Sequence, residues 1–264
     1  MVRILMYHRI VPDGAKTEGG ALDMPLGLFR RQIRMLDRWG FTSITFEDFR
    51  LSLDEGLALP KRPVIITFDD GYAETYELAF PVLKEFGMRA VVFVLGDRTM
   101  TSNDWDIPLG VKSSPLMGDS QILEMHAAGF EIGSHSMTHP HLVRLSREEV
   151  WDQVSRSRMR LEIMLNAPVT TFAYPYGELN DLVKSLVTEA GYRFACGAWS
   201  GPPVPLADHY EIRRALMVAN DGPVRLAFKV LAPYRHYRWL WWKLKSALLR
   251  DLTPVHHDHP GKTK

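Results

Sequence analysis

The sequence predicts an α/β protein organised around a parallel sheet or barrel, on three observations. Short apolar runs of strand length alternate with amphipathic helices. Several helical patterns end on a glycine just before the next run, as at Gly40, Gly87, Gly129 and Gly191. At 264 residues the chain is long enough for one large α/β domain with a substantial core.

The elements follow in order. Phe29, Ile33, Leu36 and Trp39 recur at helical spacing before Gly40. Val64 to Phe68 is a continuous apolar run, the pattern of a strand buried on both faces. A helix is expected from Ala73 to Phe86, then a strand from Ala90 to Leu95. The unit repeats with a helix over Gln121 to Ala128 and a strand over Phe130 to Gly133. Ser146-Arg147-Glu148-Glu149 is a capping box, opening a helix that reaches Leu165. Thr170 to Tyr174 reads as a strand, Asp181 to Ala190 as a helix, and Arg193 to Ala198 as a further strand. This rhythm implies right-handed β/α crossovers, with a binding site at the C-terminal ends of the strands. Residues 97–118 interrupt it with a loop rich in Asp, Ser, Thr, Pro and Gly, a candidate wall of the substrate site.

Composition narrows the function. With 46% hydrophobic and 24% charged residues and a formal net charge of +1, nothing points to nucleic acid as a partner. The single cysteine, Cys196, excludes an internal disulfide framework and fits a reducing compartment. The opening apolar run is too short for a signal peptide, and no stretch of 18 apolar residues occurs, so the expected location is cytoplasmic.

Three segments at predicted strand ends carry the chemistry. Asp69-Asp70-Gly71 follows the Val64 to Phe68 strand, where adjacent carboxylates can approach one site because Gly71 lets the backbone turn. Alone, the same residues read equally well as a surface turn. His135 and His139 lie four apart, which in a helical turn puts both imidazoles on one side, at ligand spacing for a divalent metal. A set of two histidines and a carboxylate leaves coordination positions open, as catalytic metal sites do. Tyr174-Pro175-Tyr176-Gly177 can aim a backbone N–H, such as that of Tyr176, at a developing oxyanion.

Together, Thr67 to Gly71, His135 to Pro140 and Tyr174 to Gly177 resemble the motifs of the polysaccharide deacetylase family, the NodB-homology or carbohydrate esterase 4 group, in the family's order. Met6-Tyr7-His8-Arg9-Ile10 is similar to the opening of its members, and the resemblance covers roughly residues 1–220. It implies a distorted (β/α) barrel of seven strands rather than eight. It also implies Asp69 as general base, with Asp70, His135 and His139 holding the metal, most often zinc, with Co²⁺, Ni²⁺ or Mn²⁺ as alternatives. The implied reaction is removal of N-acetyl groups from the amino sugars of a polysaccharide or its lipid-linked precursor. The candidate substrate-binding residues are Tyr72, Pro175, Tyr176 and Trp199.

The match has gaps. The family often carries an arginine two residues before the proline of the Pro-Tyr-Gly motif; here that residue is Ala173. Arg213 or Arg214, on an expected late strand from Glu211 to Val218, would supply the charge, with Arg214 the candidate catalytic residue. The family's later motifs, an Asp/Trp segment and a Leu-x-His acid, are not evident, so His8 is the candidate for a substrate-facing or acid role, ahead of His141 and His209. Two alternatives stand beside deacetylation: a same-fold amidohydrolase acting on another amide or ureide, and a catalytically silent glycan binder, for which Asp69 has no use.

The expected organisation is a catalytic domain over 1–223, a basic aromatic helical segment over 224–250 and a disordered tail over 251–264. Residues 234–250 hold five Lys or Arg and no acid, interleaved with Trp and Tyr. That composition suits a helix lying on a membrane, which would place residues 233–250 in peripheral contact with its inner face. It suits equally well aromatics packed on the barrel with solvated basic groups. The His256-His257-Asp258-His259 run in the tail is able to bind metal adventitiously. The sequence fixes no oligomeric state.

Overall fold

The structure, a computed structural model, describes residues 2–15, 20–198, 200–202 and 206–231. Trp199 and residues 232–264 lie outside this set, and with them the Trp199 assignment, most of the basic aromatic segment and the tail.

Strands β1 (Arg3–Tyr7), β2 (Arg9–Val11), β3 (Asp23–Pro25), β4 (Thr42–Ser43), β5 (Pro63–Phe68), β6 (Val91–Val94), β7 (Glu131–Ser134), β8 (Thr171–Ala173), β9 (Phe194–Cys196) and β10 (Ala215–Leu216) alternate with seven helices. These are α1 (Leu26–Arg38), α2 (Phe46–Glu55), α3 (Phe80–Glu85), α4 (Asp119–Ala127), α5 (Arg147–Leu165), α6 (Asp181–Glu189) and α7 (Pro223–Leu231). The main sheet is wholly parallel and runs β10-β1-β5-β6-β7-β8-β9, the seven strands expected, with short β4 added beside the start of β5. Its edges approach each other through one segment: Ile212 bridges to Cys196 of β9, while Ala215 and Leu216 pair with β1. The expected strand from Glu211 to Val218 is thus split between the two edges.

Strand alternation sorts the side chains into two cores. Ile4, Ile65, Val91, Phe93, Ala173, Phe194 and Cys196 fill the inside of the curled sheet. Leu5, Val64, Ile66, Phe68 and Val92 face outward, under helices that contribute Phe29, Ile33, Leu83, Val154 and Leu161. Every residue of β5 and β6 is buried, so the continuous apolar runs read from sequence are strands covered on both faces. Gly133 has no room for a side chain, since a Cβ there would stand 2.5 Å from the Phe93 ring.

Two helices differ from expectation. The Ala73–Phe86 helix opens as a π turn over Thr75–Ala79 before α3, with the Phe80 N–H reaching back to Thr75. Pro81 has no N–H for the Glu77 carbonyl and its ring would crowd it, so the preceding turn widens. Helix α2 was missed, although Thr45 and Asp48 form its capping box and Gly56, at φ 72°, ends it. The Ser146–Glu149 capping box opens α5 as read, and α5 ends at Leu165. Helix α7 buries Leu226 and Val230 in the outer core. Among the described residues, no helix is long and apolar enough to cross a membrane.

Candidate active site

The same alternation that packs the barrel interior places Asp69. Ile65 and Thr67 point inward, and the Asp69 N–H continues the pairing by donating to Tyr7 O at 3.1 Å. Asp69 is therefore the next inward residue, at the C-terminal mouth of the barrel. Asp70 would point the other way on a regular strand. It turns toward the same cavity because its own backbone is left-handed (φ 70°) and Gly71 follows at φ 73°.

A histidine loop meets it from β7. Residues 135–139 form a bend rather than the helical turn expected, with Ser136 (φ 66°) and His139 (φ 61°) both left-handed. The loop is fixed from outside: Met137 N and Thr138 N donate to Gln153 Oε1 of α5 at 3.0 and 3.1 Å, and Ser136 Oγ accepts from His139 N. Tyr176, on the turn after β8, is also left-handed (φ 58°). Four of the six non-glycine residues with positive φ among the described residues thus belong to this site. Backbone conformations of that kind are held by their surroundings and gather where a site must be built.

Asp70, His135 and His139 each offer one donor atom, all buried and within 4.8 Å of one another. The Nε2 atoms of His135 and His139 lie 3.2 and 3.4 Å from the same oxygen, Oδ1 of Asp70. His135 Nδ1 lies 2.8 Å from the Ala173 carbonyl, which accepts its hydrogen and fixes the ring with Nε2 directed at Asp70. Two imidazole nitrogens and a carboxylate, converging at the floor of an open cavity, fit a divalent metal with positions left for water and substrate. Burial works to raise the Asp70 carboxyl, but the hydrogen bonds to His135 and His139 prevail and hold it well below the ordinary carboxylate range.

The missing arginine is supplied by the segment that runs between the sheet's two edges, from the Ile212 bridge to β10. Arg214 forks Asp69 through two hydrogen bonds of 2.6 and 2.7 Å, and its other donors reach Gly197 O (3.0 Å) and Thr67 Oγ1 (3.1 Å). Its guanidinium lies over Phe93, 5.4 Å from the ring centroid. Burial would raise the Asp69 carboxyl; the charge and hydrogen bonds of Arg214 overcome it, so Asp69 is held ionised. Arg213 instead bonds Gly201 O.

These groups line a cavity of about 200 Å³ together with Met6, His8, Asp106, Tyr174, Tyr176 and Leu216. His8 sits between β1 and β2 with a buried Nδ1 that has no partner among the described residues. The other candidates fall elsewhere. Tyr72 is buried behind the cavity rather than in its wall, its hydroxyl accepting from Asn103 Nδ2 at 3.1 Å. Pro175 is buried and shapes the Tyr176 turn without lining the cavity. His141 stacks on Tyr176 at 3.8 Å and pairs with Glu178, while His209 packs against Phe49 and Phe194. The loop over residues 97–118 does reach the site, but through residues not singled out from sequence: Asp106 lines the cavity and Trp105 stacks on His139. A Trp-Asp pair in a loop read only as polar gave no periodic signal to mark it.

Residues 57–195 match the family model described as polysaccharide deacetylase. The chain is 29% identical to the Bacillus subtilis protein YxkH over 190 residues, covering 72% of this chain and 62% of that one. It is 25% identical to a Staphylococcus aureus poly-β-1,6-N-acetyl-D-glucosamine N-deacetylase over 203 residues, 74% of this chain and 67% of the relative. The chain thus spans under two thirds of YxkH and about two thirds of the staphylococcal protein. Among solved structures it is similar to the Streptococcus pyogenes deacetylase PplD in complex with acetate, with TM-score 0.74 and 23% identity over 87% of this chain and 97% of that one. A de-N-acetylase from Aggregatibacter actinomycetemcomitans gives TM-score 0.74 and 18% identity over 86% and 99% of the two chains. At these identities the structural likeness speaks to the fold, a curled parallel (β/α) barrel.

Proposed function

Because the chain belongs to the polysaccharide deacetylase family, we propose that it is a metal-dependent hydrolase removing N-acetyl groups from amino sugars of a polysaccharide or its lipid-linked precursor. The observation that carries this reading is the pairing of two units in one cavity: a carboxylate forked by a buried arginine, beside a buried Asp-His-His donor set. A protein that only binds glycans has no need of either, and the staphylococcal relative is a deacetylase of an N-acetylglucosamine polymer by name.

Asp70, His135 and His139 would hold the metal, with zinc favoured by the donor set over Co²⁺, Ni²⁺ or Mn²⁺. When bound, it supplies Lewis-acid activation of the acetamide carbonyl and of water. Asp69, ionised and aimed by Arg214, takes the proton of the attacking water as its oxygen bonds to the acetamide carbon. The left-handed turn at Tyr176 presents a backbone N–H at the cavity wall to the developing oxyanion. As the C–N bond breaks, the leaving amine takes a proton, from His8 in the cavity wall or back from Asp69. The products are acetate and a free amino sugar.

The test is an acetate-release assay on N-acetylglucosamine oligomers with metal content measured in parallel. Asp69→Asn is expected to lower turnover at least about 1,000-fold while keeping its metal, as loss of a catalytic group does. His135→Ala is expected to lose both. Wild-type protein that turns over undiminished after its metal is stripped defeats the proposal.

We also propose a cytoplasmic location and contact of residues 233–250 with the inner face of the membrane. Both rest on composition alone. In a liposome sedimentation assay with anionic lipid, replacing Arg235, Arg238, Lys243 and Lys245 with glutamate is expected to abolish binding. Equal partitioning of variant and wild type sinks the membrane contact.

A further inference from the structure

The two imidazoles facing Asp70 are held in different ways. His135 is fixed by its Nδ1 hydrogen bond to Ala173 O at 2.8 Å. His139 Nδ1 is buried and has no hydrogen-bond partner among the described residues. A metal-facing histidine ordinarily uses its second nitrogen to fix the ring. Around His139 the neighbours are aromatic instead. Trp105 lies nearly parallel to its ring, with centroids 4.7 Å apart and planes at 25°, and Tyr176 meets it edge-on at 4.6 Å and 68°.

Trp105 is a poor choice if its task is only to fill space. Its Nε1 is buried with no partner among the described residues, a desolvation cost that phenylalanine would not carry. The short 3₁₀ turn that presents it, Asp104–Leu109, is tied to the turn that carries Asp70. Asn103 Nδ2 donates to the Tyr72 hydroxyl at 3.1 Å, Met117 N to Gly71 O at 2.8 Å, and Ala73 N to Pro115 O at 2.9 Å. From below, Arg9 forks Asp23 at 2.8 and 2.9 Å and also donates to Ser114 Oγ. Residues 102–117 therefore touch the histidine loop through the Trp105 ring, and the aspartate turn through their backbone and the Asn103 side chain.

We propose that Trp105 is a positioning residue for His139. Its ring replaces the absent hydrogen bond, and segment 102–117 acts as a clamp that keeps the loops bearing Asp70 and His139 in register for a divalent metal. The proposal rests on the reading that these residues hold a metal, and goes beyond it by assigning what sets that site's affinity and geometry.

The test uses the full chain with His256, His257 and His259 replaced by alanine, so that the tail contributes no ligands. Metal-free protein is titrated with Co²⁺, followed by its d–d spectrum, and with Zn²⁺ against a chromophoric chelator. Trp105→Leu is expected to weaken the Kd about 10- to 100-fold, the range for losing a group that orients a ligand, and to alter the Co²⁺ bands. Trp105→Phe, which keeps a ring on His139, is expected to restore the bands and to bind within about threefold of wild type, below that range. Asn103→Ala, which cuts the tie to Tyr72, is expected to weaken binding in the same direction by less. Wild-type affinity and spectrum in Trp105→Leu overturn the proposal. If Trp105→Leu does not fold, unchanged affinity and bands in Asn103→Ala overturn the clamp, and failure of Trp105→Phe to bind overturns the ring's part. A wild-type chain that binds neither ion defeats the metal reading itself, a different outcome from any of these.

Discussion

The two ends of the barrel each bury a carboxylate and treat it in opposite ways. At the C-terminal mouth, Asp69 and Asp70 are enclosed by an arginine fork and two imidazoles, which hold both ionised. At the N-terminal end, Glu131 begins β7 and faces a cleft of about 460 Å³. Its Oε2 accepts from the Glu47 N–H at 3.0 Å, but its Oε1 has no partner among the described residues. Burial is the dominant influence there, and it pushes the Glu131 carboxyl up to about 7. Burial alone is therefore not what makes an acid useful in this fold. Compensation by a placed partner separates the C-terminal mouth from the N-terminal base.

The sharpest way to break that comparison is to remove the compensation at the mouth. Arg214→Met leaves Asp69 buried and unpaired, and loss of one partner of a buried ion pair typically costs about 3–5 kcal/mol of stability. Arg214→Lys separates orientation from charge: it keeps a cation but loses the planar fork and the reach to Gly197 O and Thr67 Oγ1. It is expected to fold, to retain its metal, and to turn over about 100-fold more slowly, since small misplacements of a catalytic group carry penalties of that size. Steady-state acetate release with metal analysis measures both. Full activity in Arg214→Lys would mean that Asp69 needs only a nearby positive charge.

Much of this was legible in the sequence, and the reasons differ by residue. The continuous runs at Val64 to Phe68 and Ala90 to Leu95 mark strands covered on both faces, and the Asp69-Asp70-Gly71 motif after the first marks the mouth. Asp70, His135 and His139, the set that the family resemblance implied, lie together in one cavity. What sequence could not give is how they converge: left-handed turns at Asp70, Ser136 and His139 take the place of the helical turn expected for 135–139. Arg214 was named only as one of two candidates, because the choice depends on register. The bridge at Ile212 and the pairing at Ala215 turn Arg214 inward over Phe93 and leave Arg213 to Gly201. Tyr72, named as substrate-binding, is buried outside the cavity lining, with its hydroxyl accepting from Asn103. Trp105 and Asp106 lay in a loop with no periodicity, where only the fold reveals which residues reach His139 and the cavity.

The base of the barrel offers the smaller and more quantitative test. Glu131 titrates near 7 in the folded protein, against 4.5 for an ordinary glutamate. Between those values the folded state binds more protons than the unfolded chain, so stability falls as pH rises. Glu131's favourable contribution is fully present below about pH 4.5 and lost as pH passes through about 7. A difference of that size corresponds to about 3 kcal/mol between the two limits. Glu131→Gln keeps an oxygen for the Glu47 N–H but carries no charge to bury. It is therefore expected to be more stable than wild type at pH 8, by up to about 3 kcal/mol, and close to it at pH 4.5. Urea unfolding of both proteins at the two pH values reads the difference directly, and its sign matters most. If the variant is less stable at pH 8, Glu131 is compensated after all, and the two ends of the barrel do not treat their buried acids differently.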